Sequence, residues 1–248
     1  MNLKVKDICE QVRITLDQNQ VETGVIAGDE DTLELNDIIE QKILQAAQQI
    51  LMEAPLTWID TTTQFGTTLP TGQDGVIRIK CPEDFLRLSI AKVSDWKIPV
   101  RVPVTDLDDE YKTVQSTFAG IRPNRTRPMV AITGSTEGQT IEFLGSEGEG
   151  KNLTIGEYIA LPEFVDYSHI SRDLPIEDLT PVIPGDNEVG GVTANKTLEF
   201  PQKLETALYY LTAAYVALTY KDQAAQSLFA AARSYMGIPE QPQQQTKK

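Results

Sequence analysis

Asp74-Gly-Val-Ile-Arg-Ile-Lys-Cys-Pro-Glu-Asp-Phe-Leu-Arg-Leu88 is the stretch on which the fold turns. Gly75 supplies a turn, and Val76, Ile77 and Ile79 interleaved with Arg78 and Lys80 predict a short strand. Pro82 ends that strand because it has no N–H to give to a ladder. Phe85, Leu86 and Leu88 then begin a second apolar run. Upstream lies a helical region ending at Ala54-Pro55-Leu56-Thr57-Trp58, and downstream lies a long region of strands and turns. The stretch is therefore read as the junction where a helical part hands over to a β part.

Outward from the junction, Val5, Ile8, Val12 and Leu16 recur in steps of three and four and predict a short amphipathic helix over 3–18. A longer helix is predicted from about Asn36, read as its cap, to Glu53, with Ile39, Ile43, Ala46, Ala47, Ile50 and Leu51 as its buried stripe and Pro55 as its stop. From Thr57 to about Phe164, short Val-, Ile- and Thr-rich runs alternate with Gly, Pro and Asp, the texture of antiparallel β structure. Strands are predicted at Val76–Lys80, Phe85–Val93, Lys97–Val102, Met129–Thr133, Thr140–Leu144 and Asn152–Leu161, and a turn or short helix at Asp106–Tyr111. Residues 162–199 carry Pro and Gly without periodicity, so they are read as a linker or a docking arm. Pro201 opens a helix whose apolar face is Leu204, Ala207, Leu208, Leu211, Ala214, Tyr215 and Leu218. A second helix follows from Ala224 to Met236, and Gly237 stops it. The fold class expected is α+β, a helical bundle formed by the N- and C-terminal helices with an inserted antiparallel β domain. Its parts are residues 1–56 (bundle), 57–164 (β domain), 165–199 (arm or linker), 200–238 (bundle) and 239–248 (tail).

Composition narrows the function. The chain has 248 residues, 40% apolar and 23% charged, which suits globular protein. No segment approaches a membrane span, and the N-terminus lacks the apolar core of a signal peptide, so a soluble, intracellular product with no membrane partner is expected. Cys9 and Cys81 lie too far apart in the chain to suggest a disulfide framework and are expected as reduced thiols. The net charge is −14, with 11 acidic against 4 basic residues in 1–54, 22 against 13 in 55–199, and 3 against 5 from residue 200 onward. An acidic body of this kind does not grip nucleic acid through its overall field.

No constellation of catalytic residues survives scrutiny. Gly145-Ser-Glu-Gly-Glu-Gly-Lys-Asn152 matches G-x-x-x-x-G-K, but Asn152 replaces the magnesium-binding Ser or Thr. The following Leu153–Leu161 reads as a strand rather than a helix, and Glu147 and Glu149 would repel a nucleotide. Asp106-Leu-Asp-Asp-Glu110 offers carboxylates, but Tyr111 and Thr117 stand where a calcium loop needs Gly and Glu. His169 is the one histidine, which excludes a multi-histidine metal site within one chain. No enzyme activity, cofactor or metal is expected. The remaining cluster is Arg122-Pro-Asn-Arg-Thr-Arg127, a Pro-bounded loop whose guanidinium forks suit a charged contact with a partner, or else a plain exposed loop.

The order of parts is also recognisable: a helix ending before Trp58-Ile-Asp60, Leu69-Pro70, Asp74–Ile79, Pro82–Arg87, Arg127-Pro128, Thr140–Leu144, Leu153–Ile155 through Tyr158, and a helix pair divided at Lys221-Asp222. This order resembles the head-to-tail adaptor proteins of short-tailed phages, the tail tubular protein A and tail accessory factor group, and most of all the ring proteins of crAss-like phages. The resemblance implies a structural virion protein at the head-to-tail junction, assembled in the host cytoplasm. Its partners would be the portal protein, neighbouring copies of itself in a twelve-subunit ring, and further ring or tail proteins. DNA would pass through the channel without specific binding. The interface residues expected on this basis are Arg122, Arg125 and Arg127, with Gln241, Gln243, Lys247 and Lys248 of the tail against the portal. A competing reading is a non-catalytic β-sandwich that binds a ligand and is carried on a helical stalk; exposed aromatic residues on the β part would be its mark.

Overall fold

The computed structural model describes residues 1–16, 30–66, 76–116, 118, 120–135, 138–147, 151–166 and 196–238. The chain is α+β and divides into two compact units: Met1–Thr61 with Pro162–Lys248, and Thr62–Leu161. Both ends of the chain thus build one helical unit, and the β unit is inserted between them.

In the helical unit, β1 (Asn2–Lys4) leads into α1 (Val5–Thr15), and α2 (Glu30–Glu53) follows. After Pro55, a 3-10 turn at Leu56–Trp58 ends this part. The unit resumes with β9 (Phe164–Asp166), β10 (Lys196–Glu199), α3 (Glu205–Thr219) and α4 (Ala225–Tyr235). Every residue of the α2 stripe read from the sequence is buried, with Ile39, Ile43, Ala46, Ala47 and Ile50 fully so. Each such Ile contributes about 1.5–3 kcal/mol through removal from water. α3 packs against α1, α2 and α4. That central position explains why its buried set, Ala207, Leu208, Leu211, Thr212, Ala213, Ala214, Val216 and Ala217, runs almost all round the helix.

Five expectations need correction here. α2 begins at Glu30, so Asn36 is interior rather than its cap. Leu218 is exposed, because it lies in the last turn of α3, beyond the packed segment. The first helix is preceded by a strand: β1 pairs antiparallel with β10, and β10 with β9. The two ends of the segment read as arm or linker, together with the start of the chain, therefore share a sheet. In the β unit, Lys97–Val102 is no strand; only Val100 bridges to Ala91, through bonds of 2.8 Å in each direction. Pro99 and Pro103 remove the donors a longer ladder would need. Finally, the β unit is not wholly antiparallel, since β5 (Val104–Thr105) runs parallel to β6.

The β unit contains two sheets, β2 (Thr63–Gln64)–β8 (Leu153–Ala160)–β4 (Phe85–Val93) and β3 (Ile77–Lys80)–β7 (Gly138–Leu144)–β6 (Met129–Ser135)–β5. They share one core: Ile77, Val130, Ile141 and Phe143 from the four-stranded sheet meet Leu88, Ala91, Val93 and Tyr158 from the other, with Phe65 and Trp96 among them. Phe65 stacks on Tyr158 at 4.8 Å and meets Phe143 edge-on at 6.2 Å, geometries that aromatic quadrupoles favour.

The junction acquires a sharper meaning. β2 already belongs to the β unit, so the handover from helices lies near Thr62, and Pro82 instead marks the crossing between sheets. β3 pairs with β7 in one sheet and β4 with β8 in the other. The Pro82 carbonyl accepts from the Phe85 N–H at 3.1 Å, closing a turn. Asp84 ties that turn to β8: its carbonyl accepts from the Leu161 N–H, and its carboxylate accepts from the Tyr158 hydroxyl at 3.0 Å.

Candidate assembly surface

The connection between β4 and β6 carries the arginine cluster and is fastened to the β unit at four points. β5 pairs with β6. A 3-10 turn at Tyr111–Gln115 is pinned where the Tyr111 hydroxyl donates to Glu142 Oε2 at 3.0 Å, while Arg78 Nε donates to Glu142 Oε1 at 2.9 Å from the facing position of β3. Burial and the Glu142 carboxylate push the Tyr111 hydroxyl above its ordinary pKa.

The third fastening is packing of a turn against Gly145, just after β7, and that turn is shaped by Asn124. Its side-chain oxygen accepts from the backbone N–H groups of Thr126 and Arg127 at 3.0 and 3.1 Å, and Asn124 and Arg127 exchange backbone hydrogen bonds. This is the Asx-turn chemistry that makes Asn common in tight loops. Gly145 packs against this turn with a φ of 105°, and a Cβ there would stand 2.9 Å from the Asn124 carbonyl oxygen. Both the backbone angle and the close approach require glycine.

The fourth is Arg125. Its guanidinium reaches Glu147 Oε2 at 2.9 Å and Asp95 Oδ2 at 3.4 Å, and Asp95 Oδ2 also accepts from the Glu147 N–H at 3.0 Å. The Asp95 side chain is only 11% exposed. Arg125 is thus paired with carboxylates of its own unit. Arg122 and Arg127 are different: Arg122 Nε donates to the Ser116 carbonyl, Arg127 donates to the Ile121 carbonyl at 3.3 Å, and among the described residues neither has a carboxylate partner. The structure therefore separates three arginines that the sequence presents as one cluster. Gln241, Gln243, Lys247 and Lys248 lie outside the described residues, as does His169.

Sequence reasoning missed the apolar side chains of this connection. Val102, Leu107, Phe118 and Ile121 are exposed, Leu107 to 87% and Phe118 to 71%. Their only sequence signal is large apolar residues in a loop that has no period to bury them. A turn joins the last two to the arginines, since the Phe118 carbonyl accepts from the N–H groups of Ile121 and Arg122. Phe118 is exposed, whereas Phe65, Trp96, Phe143 and Tyr158 are spent on the core.

The acidic turn at Asp106–Glu110 is accounted for locally. The Asp108 carboxylate accepts from the Thr105 N–H and hydroxyl at 2.6 and 3.0 Å, which hold it below the usual carboxylate range. Among the described residues no group of three or more His, Cys, Asp or Glu side chains could hold a metal ion, and no helix is long and apolar enough to cross a membrane. The segment after Lys151 is strand β8, where a phosphate-binding loop would need a helix. No protein-family model and no curated protein matches the chain.

Proposed function

We propose that this protein is a structural connector of the head-to-tail adaptor class, which assembles as a ring beneath a portal and extends the channel for DNA. The observation that carries the reading is the unit division: one helical unit built from both chain ends, with a β unit inserted at Thr62–Leu161. That is the arrangement implied by the order of motifs on which the resemblance rests. The charge balance fits as well. A conduit wall of net charge −14 would let DNA pass without holding it. A ring needs heterologous contacts between copies, and a fastened loop bearing exposed apolar and cationic side chains is suited to such a contact. Its subunits would meet the portal on one side and further ring or tail proteins on the other.

Electron microscopy of the protein mixed with a portal protein from the same source tests this reading. A closed ring of this chain seated on the portal is the expected image; bare portals at saturating protein would overturn it.

A further inference from the structure

We propose that the β4–β6 connection is a strap: residues 101–128 lift from the β unit as one piece while the two-sheet core stays folded. Trp96 and Val130 belong to that core and Val100 packs partly against it, yet from Arg101 to Met129 no described residue is buried. Detaching this stretch therefore takes no fully buried side chain out of the close-packed interior, on which the stability of the unit chiefly depends. Regions with few buried contacts and exposed backbone hydrogen bonds are the ones that open below the free energy of global unfolding.

The polar contacts of the stretch fall into two sets. One ties it to the rest of the unit: the Tyr111 hydroxyl on Glu142, the Arg125 guanidinium on Glu147 and Asp95, the Arg125 carbonyl accepting from the Lys97 N–H at 2.8 Å, and the two-residue parallel pairing of β5 with β6. The other set is internal: the N–H groups of Thr113, Ser116, Ile121 and Arg127 donate to the carbonyls of Glu110, Thr113, Phe118 and Asn124. Those internal bonds close single turns, and a single turn freed from tertiary packing does not hold in water. The internal set thus depends on the first, so the stretch opens and closes cooperatively. Closed, β5 occupies the outer edge of β6 at Ala131 and Ile132. The strap therefore guards a sheet edge of the kind that folded proteins keep covered against pairing with other chains.

Residue-resolved hydrogen exchange of the full-length protein, recorded by NMR over low denaturant concentrations under conditions where closing outpaces exchange, tests the strap. The amides of Lys97, Thr113 and Arg127, bonded to Arg125, Glu110 and Asn124, should share one opening free energy and one shallow denaturant slope, both below those of the β7 and β8 amides. Tyr111→Phe removes the bond to Glu142 and should speed exchange of all three about five-fold, including Lys97 and Arg127, which are distant from position 111 in the chain. Ile77→Val thins the core on β3, at the opposite end of the sheet order from β5. It should speed the β7 and β8 amides by about two-fold or more and leave the three strap amides unchanged. Strap amides that accelerate in step with β7 and β8 in Ile77→Val would mean that the connection opens only with the core. An effect of Tyr111→Phe confined to residues beside position 111 would mean piecemeal fraying. Either result overturns the strap and leaves the ring reading untouched.

Discussion

Arg125 and Asp95 stand 3.4 Å apart, and the carboxylate oxygen that faces the guanidinium also receives the Glu147 N–H. One nearly buried carboxylate thus joins the loop after β7 to the arginine loop. Replacing Arg125 with Ala removes the compensating charge from Asp95 and should cost about 1–2 kcal/mol of unfolding free energy, the exposed half of the arginine moderating the loss. Arg125→Lys should retain part of it. Denaturant unfolding gives the answer; a parent-like midpoint for the Ala variant would reduce this contact to an incidental surface pair.

The two C-terminal helices end in the same hydrogen-bond pattern on different residues. After α3 the N–H groups of Lys221 and Asp222 bond to the carbonyls of Leu218 and Ala217, and after α4 those of Gly237 and Ile238 bond to Ser234 and Arg233. Both motifs need a left-handed residue, supplied by Lys221 at φ 57° and Gly237 at φ 70°. Lys221→Gly should therefore stabilise, by about 0.5–1 kcal/mol, because the side chain there carries a strain that glycine lacks. Gly237→Ala should destabilise by about 2 kcal/mol or more, since a Cβ would also meet the Trp58 ring at 2.7 Å. Thermal melts read both, and the opposite signs are the point of the comparison.

Alkali should loosen the β unit through Tyr158. Burial, then the hydrogen bond to Asp84, pushes its hydroxyl up to about 12 from the ordinary 10.0. The proton is held more tightly in the folded state, so this contribution is complete below about pH 10 and is lost as pH rises toward 12. Stability measured across that window should fall, and Tyr158→Phe should flatten the fall while starting about 1 kcal/mol lower for want of the bond to Asp84. Ultraviolet titration that found every tyrosine ionising together near 10 would contradict this.

The two cysteines report on separate units. Cys9 is buried in the helical unit, and desolvation with the nearby Glu40 charge pushes its thiol up to about 11. Cys81, in the β unit, is half-buried, its thiol raised by burial and by Asp84. Thiolate is the reactive form. At neutral pH Cys81 should be alkylated slowly and Cys9 only after the helical unit opens, as peptide mass mapping over a denaturant series would record. Equal labelling of both in native protein would contradict the burial of Cys9.

Much of the architecture was legible in the sequence because it rests on period and punctuation. The α2 stripe from Ile39 to Leu51, the strand Phe85–Val93, and the helix pair divided at Lys221-Asp222 each follow from apolar spacing or a stop signal. What was illegible depends on pairing across distance. Asn2–Lys4 is too short to show a strand period and exists because Lys196–Glu199 lies beside it. Pro82 read as a strand end, but that β3 and β4 enter different sheets is fixed by their partners β7 and β8. In the candidate surface, spacing grouped three arginines, while their roles were decided by Asp95 and Glu147, two carboxylates distant in sequence from one another.

Counting copies on the portal tests the connector reading most directly. Native mass spectrometry of the complex isolated at saturating protein should give a closed complement of this chain, one copy for each portal subunit. One or a few copies bound at random, or none, would contradict the account.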